Sequence, residues 1–333
     1  MKRTDYRKEI YYPSKKSLLI KISLILIISF VLSLSAYGLY LQKKVETAAT
    51  KSYVSLDRKT SPFRGDVVEP INDNVSILFI GIDDSILRDQ GDNKSRSDAL
   101  LLATLNKREK TVKLLSIPRD SYVYFPNQNY KDKINHAYGK GGPLSSIQTI
   151  EHLLEVPIDY YVKMNFDAFI DVVDALDGIE ADVPYALHEK DQFDQFTVQL
   201  TPGFQKLDGR EALALARTRK KDNDIERGKR QQMILEAIVQ KATKATSITK
   251  YDNVIEAVGN QMKTNMTYET MTSFLTYFKD GIPNVDSMYL HGFDDTSTNT
   301  YYWRLDEEKL VETKQILQQH LELSSDYQNN SDI

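Results

Sequence analysis

The uncharged stretch from Ile22 to Leu41 divides this 333-residue chain before any other feature can shape its fold. At ~1.5 Å of rise per residue a helix of that length crosses a bilayer core of ~30 Å, so the stretch predicts a single transmembrane helix over residues 22–41. Lys2, Arg3, Arg7, Lys8, Lys15, Lys16 and Lys21 precede it, against Asp5 and Glu9. That excess of positive charge predicts that residues 1–21 are cytoplasmic. All that follows Leu41 is then extracellular, a single-pass type II arrangement in the cell membrane. A cleaved signal peptide is the competing reading, but the stretch exceeds the usual h-region of ~7–15 residues and no clear Ala-x-Ala site follows it.

The chain has no cysteine. Disulfides, thiolate zinc sites, cysteine nucleophiles and a lipobox are therefore excluded, and the extracellular part must be held by its own core. With 41% hydrophobic residues and 20 tyrosines it has the apolar area to build one. Residues 42–73 are polar, carry Pro62, Gly65 and Pro70, and predict an extracellular stalk. Buried-type strands are expected at Val75–Ile82, Ala99–Leu105 and Thr111–Ile117, the last two joined as a hairpin. Helical spacing of apolar residues marks Leu144–Glu155 and Asn165–Asp177, the latter stopped at Gly178. Further strands are expected at 158–163, 179–183, 196–200 and 287–293, and further helices at 251–261, 268–279 and 307–321. The order predicts an α/β fold, a mixed layered sheet with helices on both faces. It divides into a main domain over 74–245, a C-terminal part of the extracellular domain over 246–323 and a disordered tail over 324–333.

Arginines crowd the segment from Arg217 to Gln231, while the whole chain has a net charge of −4. Asp208, with Glu211 three residues on, reads as the cap of a short helix that delivers Arg217 at its end. A second helix beginning at Asp224 sets Arg227, Arg230 and Gln231 at helical spacing. Guanidinium forks match phosphate oxygens, so the junction predicts an anionic, phosphate-bearing ligand. A solvated charged linker is the plain alternative. Three more polar groups stand at strand ends: Gly81 to Asp84, Lys94 to Asp98, and Ser116 to Asp120, where Pro118 breaks the ladder and re-aims Arg119. Nucleic-acid binding is disfavoured by the extracellular topology. His136, His152, His188, His291 and His320 show no metal spacing.

Together these residues carry a resemblance. Gly81-x-Asp83, Arg96-Ser97-Asp98, Pro118-Arg119-Asp120, Lys133-Ile134-Asn135 with Gly139 to Gly142, Asn165-Phe166-Asp167, Asp174-x-x-Asp177-Gly178, and Ala216-Arg217-x-Arg219 through Arg227-x-x-Arg230-Gln231 resemble the LytR-CpsA-Psr family in order and spacing. The likeness runs from about Asn74 to Lys241. The family often carries a longer Asp-Phe-Gly-Arg run where this chain has Asp224-Ile225-Glu226-Arg227. The resemblance implies a membrane-anchored phosphotransferase of Gram-positive cells. Its members attach an anionic glycopolymer, such as wall teichoic acid or capsular polysaccharide, from a polyprenyl-pyrophosphate carrier to peptidoglycan.

On that resemblance Arg119, Arg217 and Arg219 take the pyrophosphate, with Arg96 and Arg227 as flanking clamps or as partners of the carboxylates. Lys133, Arg230 and Gln231 touch phosphate or order the arginines. Asp98 and Asp224 would hold Mg²⁺ (or Mn²⁺) through oxygen, with Asp83 as a further ligand or as the base for the acceptor hydroxyl. The same pairs also read as plain ion pairs. A polyprenyl tail needs shelter, so an apolar groove is expected, lined by the faces of Phe166–Leu176 and Leu144–Leu154. Two other activities would use much of the same set: a polyprenyl-pyrophosphate phosphatase, and a non-catalytic membrane-bound receptor or regulator of the wall.

Overall fold

The computed structural model describes residues 15–83, 95–191, 193, 195–219, 224–243, 251–278, 281 and 283–323. Its elements in chain order begin with α1 (Lys15–Ser52), β1 (Val75–Ile82), β2 (Ser97–Asn106), β3 (Thr111–Ser116), β4 (Tyr122–Phe125), β5 (Tyr130–Lys133) and α2 (His136–Leu154). Next come β6 (Tyr160–Asn165), α3 (Phe166–Ala175), β7 (Ile179–Val183), β8 (Leu187–Glu189), β9 (Val198–Leu200), β10 (Gly203–Leu207), α4 (Gly209–Arg217) and α5 (Asp224–Thr243). The chain then forms α6 (Tyr251–Gln261), β11 (Lys263–Thr264), α7 (Tyr268–Ser273), β12 (Asn284–Tyr289), β13 (Gly292–Asp295), β14 (Tyr302–Leu305) and α8 (Glu307–His320).

Two units are distinct, Met1–Glu46 and Thr47–Ile333. In the first, Leu26, Phe30, Val31 and Leu39 are exposed. Among the described residues α1 is the one helix long and apolar enough to cross a membrane. In the second unit, the residues expected as a stalk are bonded to the domain. Arg58 pairs with Glu151 and donates to the Ile158 carbonyl at 2.7 Å, and Arg64 grips Asp159 with two bonds of 3.0 Å. Both acids are buried, so these residues act as a strap on the fold and not as a spacer.

The centre is a six-stranded mixed sheet in the order β11-β6-β1-β2-β3-β12. β1 runs antiparallel to β2 and parallel to β6, and β3 runs parallel to β12. Side chains alternate along β1, which sorts them onto two faces. Leu78, Ile80 and Ile82 pack with Ile147, Ile150 and Leu154 of α2 and with Leu317 and Leu321 near the end of α8. Ile77 and Phe79 face the other way, where α5 packs across β2, β3 and β12. Helices thus cover both faces, as the sequence predicts. Residues after 246 do not form a separate layer, because β11 and β12 complete the edges of this same sheet.

Local features depart from the sequence reading, β8, β10 and β14 among them, and the helix expected over 268–279 ends at Ser273. The hairpin β4–β5 has no alternation to mark it, since Tyr122–Phe125 is apolar throughout and Tyr130–Lys133 is charged after its first residue. Helix α2 starts at His136 and is broken at Gly141 and Gly142, the latter at φ 63°, before Pro143 opens the stretch that the apolar spacing marks. The strand expected over 287–293 divides into β12 and β13, which belong to different sheets.

Candidate functional site

At the end of β1 the pairing with β2 slips: Gly81 faces Ala99, but Ile82 faces Ser97. Asp98 is the extra residue of that β-bulge, and such a bulge re-aims the side chain it carries. Arg119 lies just beyond β3 in a turn closed by the Ser121 N–H donating to the Pro118 carbonyl at 3.0 Å. The Arg119 guanidinium donates to the Asp98 carboxylate. Two strand ends thereby present one acid and one base to the same space.

The α4–α5 junction supplies the remaining cations. Asp208 caps α4 with the reciprocal bonds expected: the Glu211 N–H donates to Asp208 Oδ1 at 2.8 Å, and the Asp208 N–H donates to Glu211 Oε2 at 2.9 Å. Arg217 is the last residue of that helix and Asp224 the first of α5. Glu226 is helical and has no positive φ, so the missing glycine of the family run costs the backbone nothing here. The residues between, 220–223, lie outside the described set. Gly228 lets α5 approach β3, because a Cβ there would collide with the Ser116 side chain. Arg227 is thereby carried over the strand ends.

Ion pairs knit these groups together. Arg219 lies 3.2 Å from Asp224 and 3.5 Å from Asp120, Arg227 lies 3.3 Å from Asp224, and Arg217 lies 3.9 Å from Asp83. Asp120, for which the sequence suggests no role, is a hub: it accepts from Lys133 at 2.9 Å and lies 3.6 Å from Arg119. Burial opposes its charge, yet the hydrogen bond from Lys133 and the nearby arginines hold its pKa below the ordinary carboxylate value. Burial also opposes the charge of Arg119, and Asp98 and Asp120 outweigh it, leaving that pKa raised. Burial wins at Arg227, which is brought down to about 10 despite Asp224. It remains a cation at neutral pH.

A cavity of about 520 Å³ lies elsewhere, under the strap. The site opens instead on one of about 460 Å³. Asp83, Asp98, Arg119, Arg217, Arg219, Arg227 and Gln231 line its polar end. Phe79, Leu101 and Val162 of the sheet, Phe166, Phe169 and Val172 of α3, and Ile234, Leu235 and Ile238 of α5 make the rest apolar. The face of Leu144–Leu154 expected in this lining is absent from it. Ile147, Ile150 and Leu154 are ordinary core on the opposite side of the sheet. The α5 side chains take that place.

Four of the expected site residues lie off the cavity. Arg96 is exposed, and Lys133 is turned to Asp120. Asp224 stands behind Arg219 and Arg227. Arg230 is buried, with its guanidinium donating to the carbonyls of Leu215 at 3.0 Å and Thr218 at 2.6 Å. It fastens the junction that positions Arg217 and Arg219. Gln231 does the same from the cavity wall, donating to the Ala216 carbonyl at 3.3 Å.

Among the described residues, the buried atoms Asp224 Oδ2, Arg119 Nε and Arg227 Nε at the site have no hydrogen-bond partner. Orphaned polar atoms of both signs beside one cavity are what a bound, charged ligand would satisfy.

The LytR_cpsA_psr family model matches residues 37–319. The chain belongs to the LytR-CpsA-Psr family. The polyisoprenyl-teichoic acid–peptidoglycan teichoic acid transferase TagT of Bacillus subtilis strain 168 is 37% identical over 294 residues, which is 87% of this chain and 91% of that one. A solved structure of TagT bound to LIIa-WTA superposes with a TM-score of 0.68 at 36% identity, covering 81% of this chain and all of that one. A further one, TagT with bound octaprenyl pyrophosphate lipid, gives a TM-score of 0.65 at 34% identity over 81% of this chain and all of that one. The LytR-CpsA-Psr motifs that the sequence shows are the strand ends and the helix junction described above. Phe166, inside the Asn165-Phe166-Asp167 motif, and the α5 apolar residues, which belong to no motif, complete the site.

Proposed function

We propose that this member of the family transfers an anionic glycopolymer, wall teichoic acid or a similar polymer, from a polyprenyl-pyrophosphate carrier to peptidoglycan, forming a phosphodiester. The observation that carries it is a single cavity with a greasy wall at one end and Arg119, Arg217, Arg219 and Arg227 at the other. That is the polarity of an isoprenoid tail joined to a pyrophosphate. The named transferase relatives and the neighbour holding octaprenyl pyrophosphate support the same reading.

In the reaction, an acceptor sugar hydroxyl attacks the phosphorus that bears the polymer. The bond from that phosphorus to the bridging oxygen breaks, and the carrier leaves as polyprenyl monophosphate. Charge accumulates on the bridging and outer oxygens, so fixed guanidiniums lower the barrier without reorganising. Asp83, buried and 3.9 Å from Arg217, is the carboxylate proposed to take the hydroxyl proton. Arg230 and Gln231 hold the junction rigid, which keeps the arginines aimed.

Magnesium fits this donor set. Among the described residues no group of three acids or histidines gathers to cage a metal. Mg²⁺, however, is commonly held by one or two carboxylates plus substrate phosphates. Asp98, on the cavity wall, would be one of those carboxylates, and Asp224, set behind Arg219 and Arg227 with its orphaned Oδ2, would be the other once those arginines turn to phosphate. When bound, the ion would neutralise phosphate charge.

Membrane anchoring by α1 with the N-terminus cytoplasmic puts the site on the same side as both substrates. The deciding experiment incubates the full-length chain in detergent with a synthetic lipid-linked glycopolymer and peptidoglycan. Covalently linked polymer is the expected product. Release of free phosphorylated polymer to water would make the protein a phosphatase, and binding without turnover would make it a receptor.

A further inference from the structure

The β13–β14 hairpin is wired to the reactive strand end. The Trp303 N–H donates to the Asp120 carbonyl at 2.9 Å, and β14 bridges to Ser121 beside it. Trp303 is buried, and its indole donates to the Leu290 carbonyl at 3.3 Å, so the attachment is firm at both ends. Two tyrosines precede it. Lys133 Nζ, which pairs with Asp120, lies 5.6 Å from the Tyr301 ring and 5.7 Å from the Tyr302 ring. Tyr302 in turn meets Tyr122 edge-on at 4.7 Å, and neither Tyr301 nor Tyr302 lines the apolar cavity.

We infer that this tyrosine face is the acceptor subsite, which takes a neutral glycan strand of peptidoglycan and carries its hydroxyl to the arginine cluster. The inference rests on the transferase reading given above. The carrier tail occupies the cavity under α3 and α5, so the acceptor must approach the phosphates from outside that cavity, and the hairpin is continuous there with Asp120 and Lys133. The chemistry of the face agrees. A tyrosine ring offers an apolar plane for the C–H face of a pyranose, with few torsions to immobilise, and the Tyr301 hydroxyl, donating to Asp294 at 2.7 Å, holds its ring in place. Charge selects between the two polymers present. Among the described residues, Lys133 is committed to Asp120 and Arg304 to Asp295 at 2.6 Å, and Asp294 is exposed, so these residues leave no cationic surplus for a polyanion. A neutral sugar chain suits it, and the phosphate-rich donor polymer does not.

Binding of soluble, uncrosslinked peptidoglycan glycan strands to the full-length chain, titrated with no donor present, tests this without relying on turnover. Tyr301→Ala and Tyr302→Ala are each expected to weaken glycan binding about tenfold. Tyr301→Phe keeps the ring and should stay within about twofold of the wild type. Octaprenyl pyrophosphate binding, measured on the same samples, should be unchanged in all three and also reports that the variants are folded. In transfer assays the alanine variants should raise the acceptor KM and leave the donor KM alone. Wild-type glycan affinity in both alanine variants would overturn the subsite while leaving the transferase reading intact. So would losses confined to polyglycerol phosphate titrated in parallel, which would give the face to the donor. A wild type that binds glycan but yields no linked product would instead remove the transferase reading.

Discussion

The guanidinium of Arg217 sits 4.4 Å over the ring of Phe166, at the point where the cavity passes from apolar to charged. Phe166 opens α3 directly behind the Asn165 cap, whose side chain accepts from the Ala168 N–H at 2.9 Å. The ring therefore meets the apolar wall on one side and steadies the Arg217 guanidinium on the other. Removing the charge with Arg217→Ala should weaken octaprenyl pyrophosphate binding by about 1.5–3 kcal/mol. Phe166→Leu keeps the wall apolar and should cost only about 0.5–1 kcal/mol. Equal losses in the two variants, read by titration, would contradict this division of labour.

Asp98→Asn and Asp224→Asn preserve size but take a negative charge from the proposed metal site. Transfer should fall steeply in each, and carrier binding should survive in part because the arginines act on phosphate directly. EDTA-treated wild type is the reference. Wild-type turnover in either variant, or indifference to EDTA, returns both aspartates to the role of ion-pair partners for Arg119, Arg219 and Arg227.

Ile238 lies on α5 in the apolar part of the cavity. A tryptophan there fills space that the tail needs, so Ile238→Trp should lower affinity for octaprenyl pyrophosphate by about tenfold or more. A short isoprenyl pyrophosphate with the same headgroup should bind within about twofold of wild type. Loss of both ligands alike would mean that the substitution had disturbed the arginines and not the tail.

His320 closes α8 against the sheet, its two ring nitrogens each 2.8 Å from a threonine hydroxyl, those of Thr104 and Thr111. Burial lowers its pKa, with Lys113 adding to the effect, so the folded state holds it neutral at a pH where the unfolded chain would bind a proton. The contribution to stability is complete above about pH 6.5 and is lost as pH falls from there through the folded pKa. Thermal unfolding between pH 8 and 5 should show this slope, and His320→Gln should flatten it. An unchanged slope in the variant would assign the pH dependence to other groups.

A tag at the N-terminus should resist external protease in intact protoplasts, while the unit after Thr47 should be accessible. An accessible tag would reverse the proposed orientation.

The sequence by itself determined the elements whose signal is local. An uncharged stretch of bilayer length, period-2 and period-3.6 apolar spacing, and the Asp208–Glu211 capping box each act over a few residues, and α1, β1, β2, β3, α3 and α4 follow from them. The charged motifs also identified which arginines and aspartates to watch. Tertiary structure decided what those groups face. The slip at Gly81 that turns Asp98 inward, the Asp120 hub and the turning of Arg230 onto backbone carbonyls depend on partners about 12–100 residues away, as does the docking of Trp303 nearly 200 residues away, and no local window holds them. The cavity wall shows the same limit. The apolar faces of α2, α3 and α5 look alike along the chain, and only the side of the sheet on which each helix lands makes one a core and the others a cavity wall.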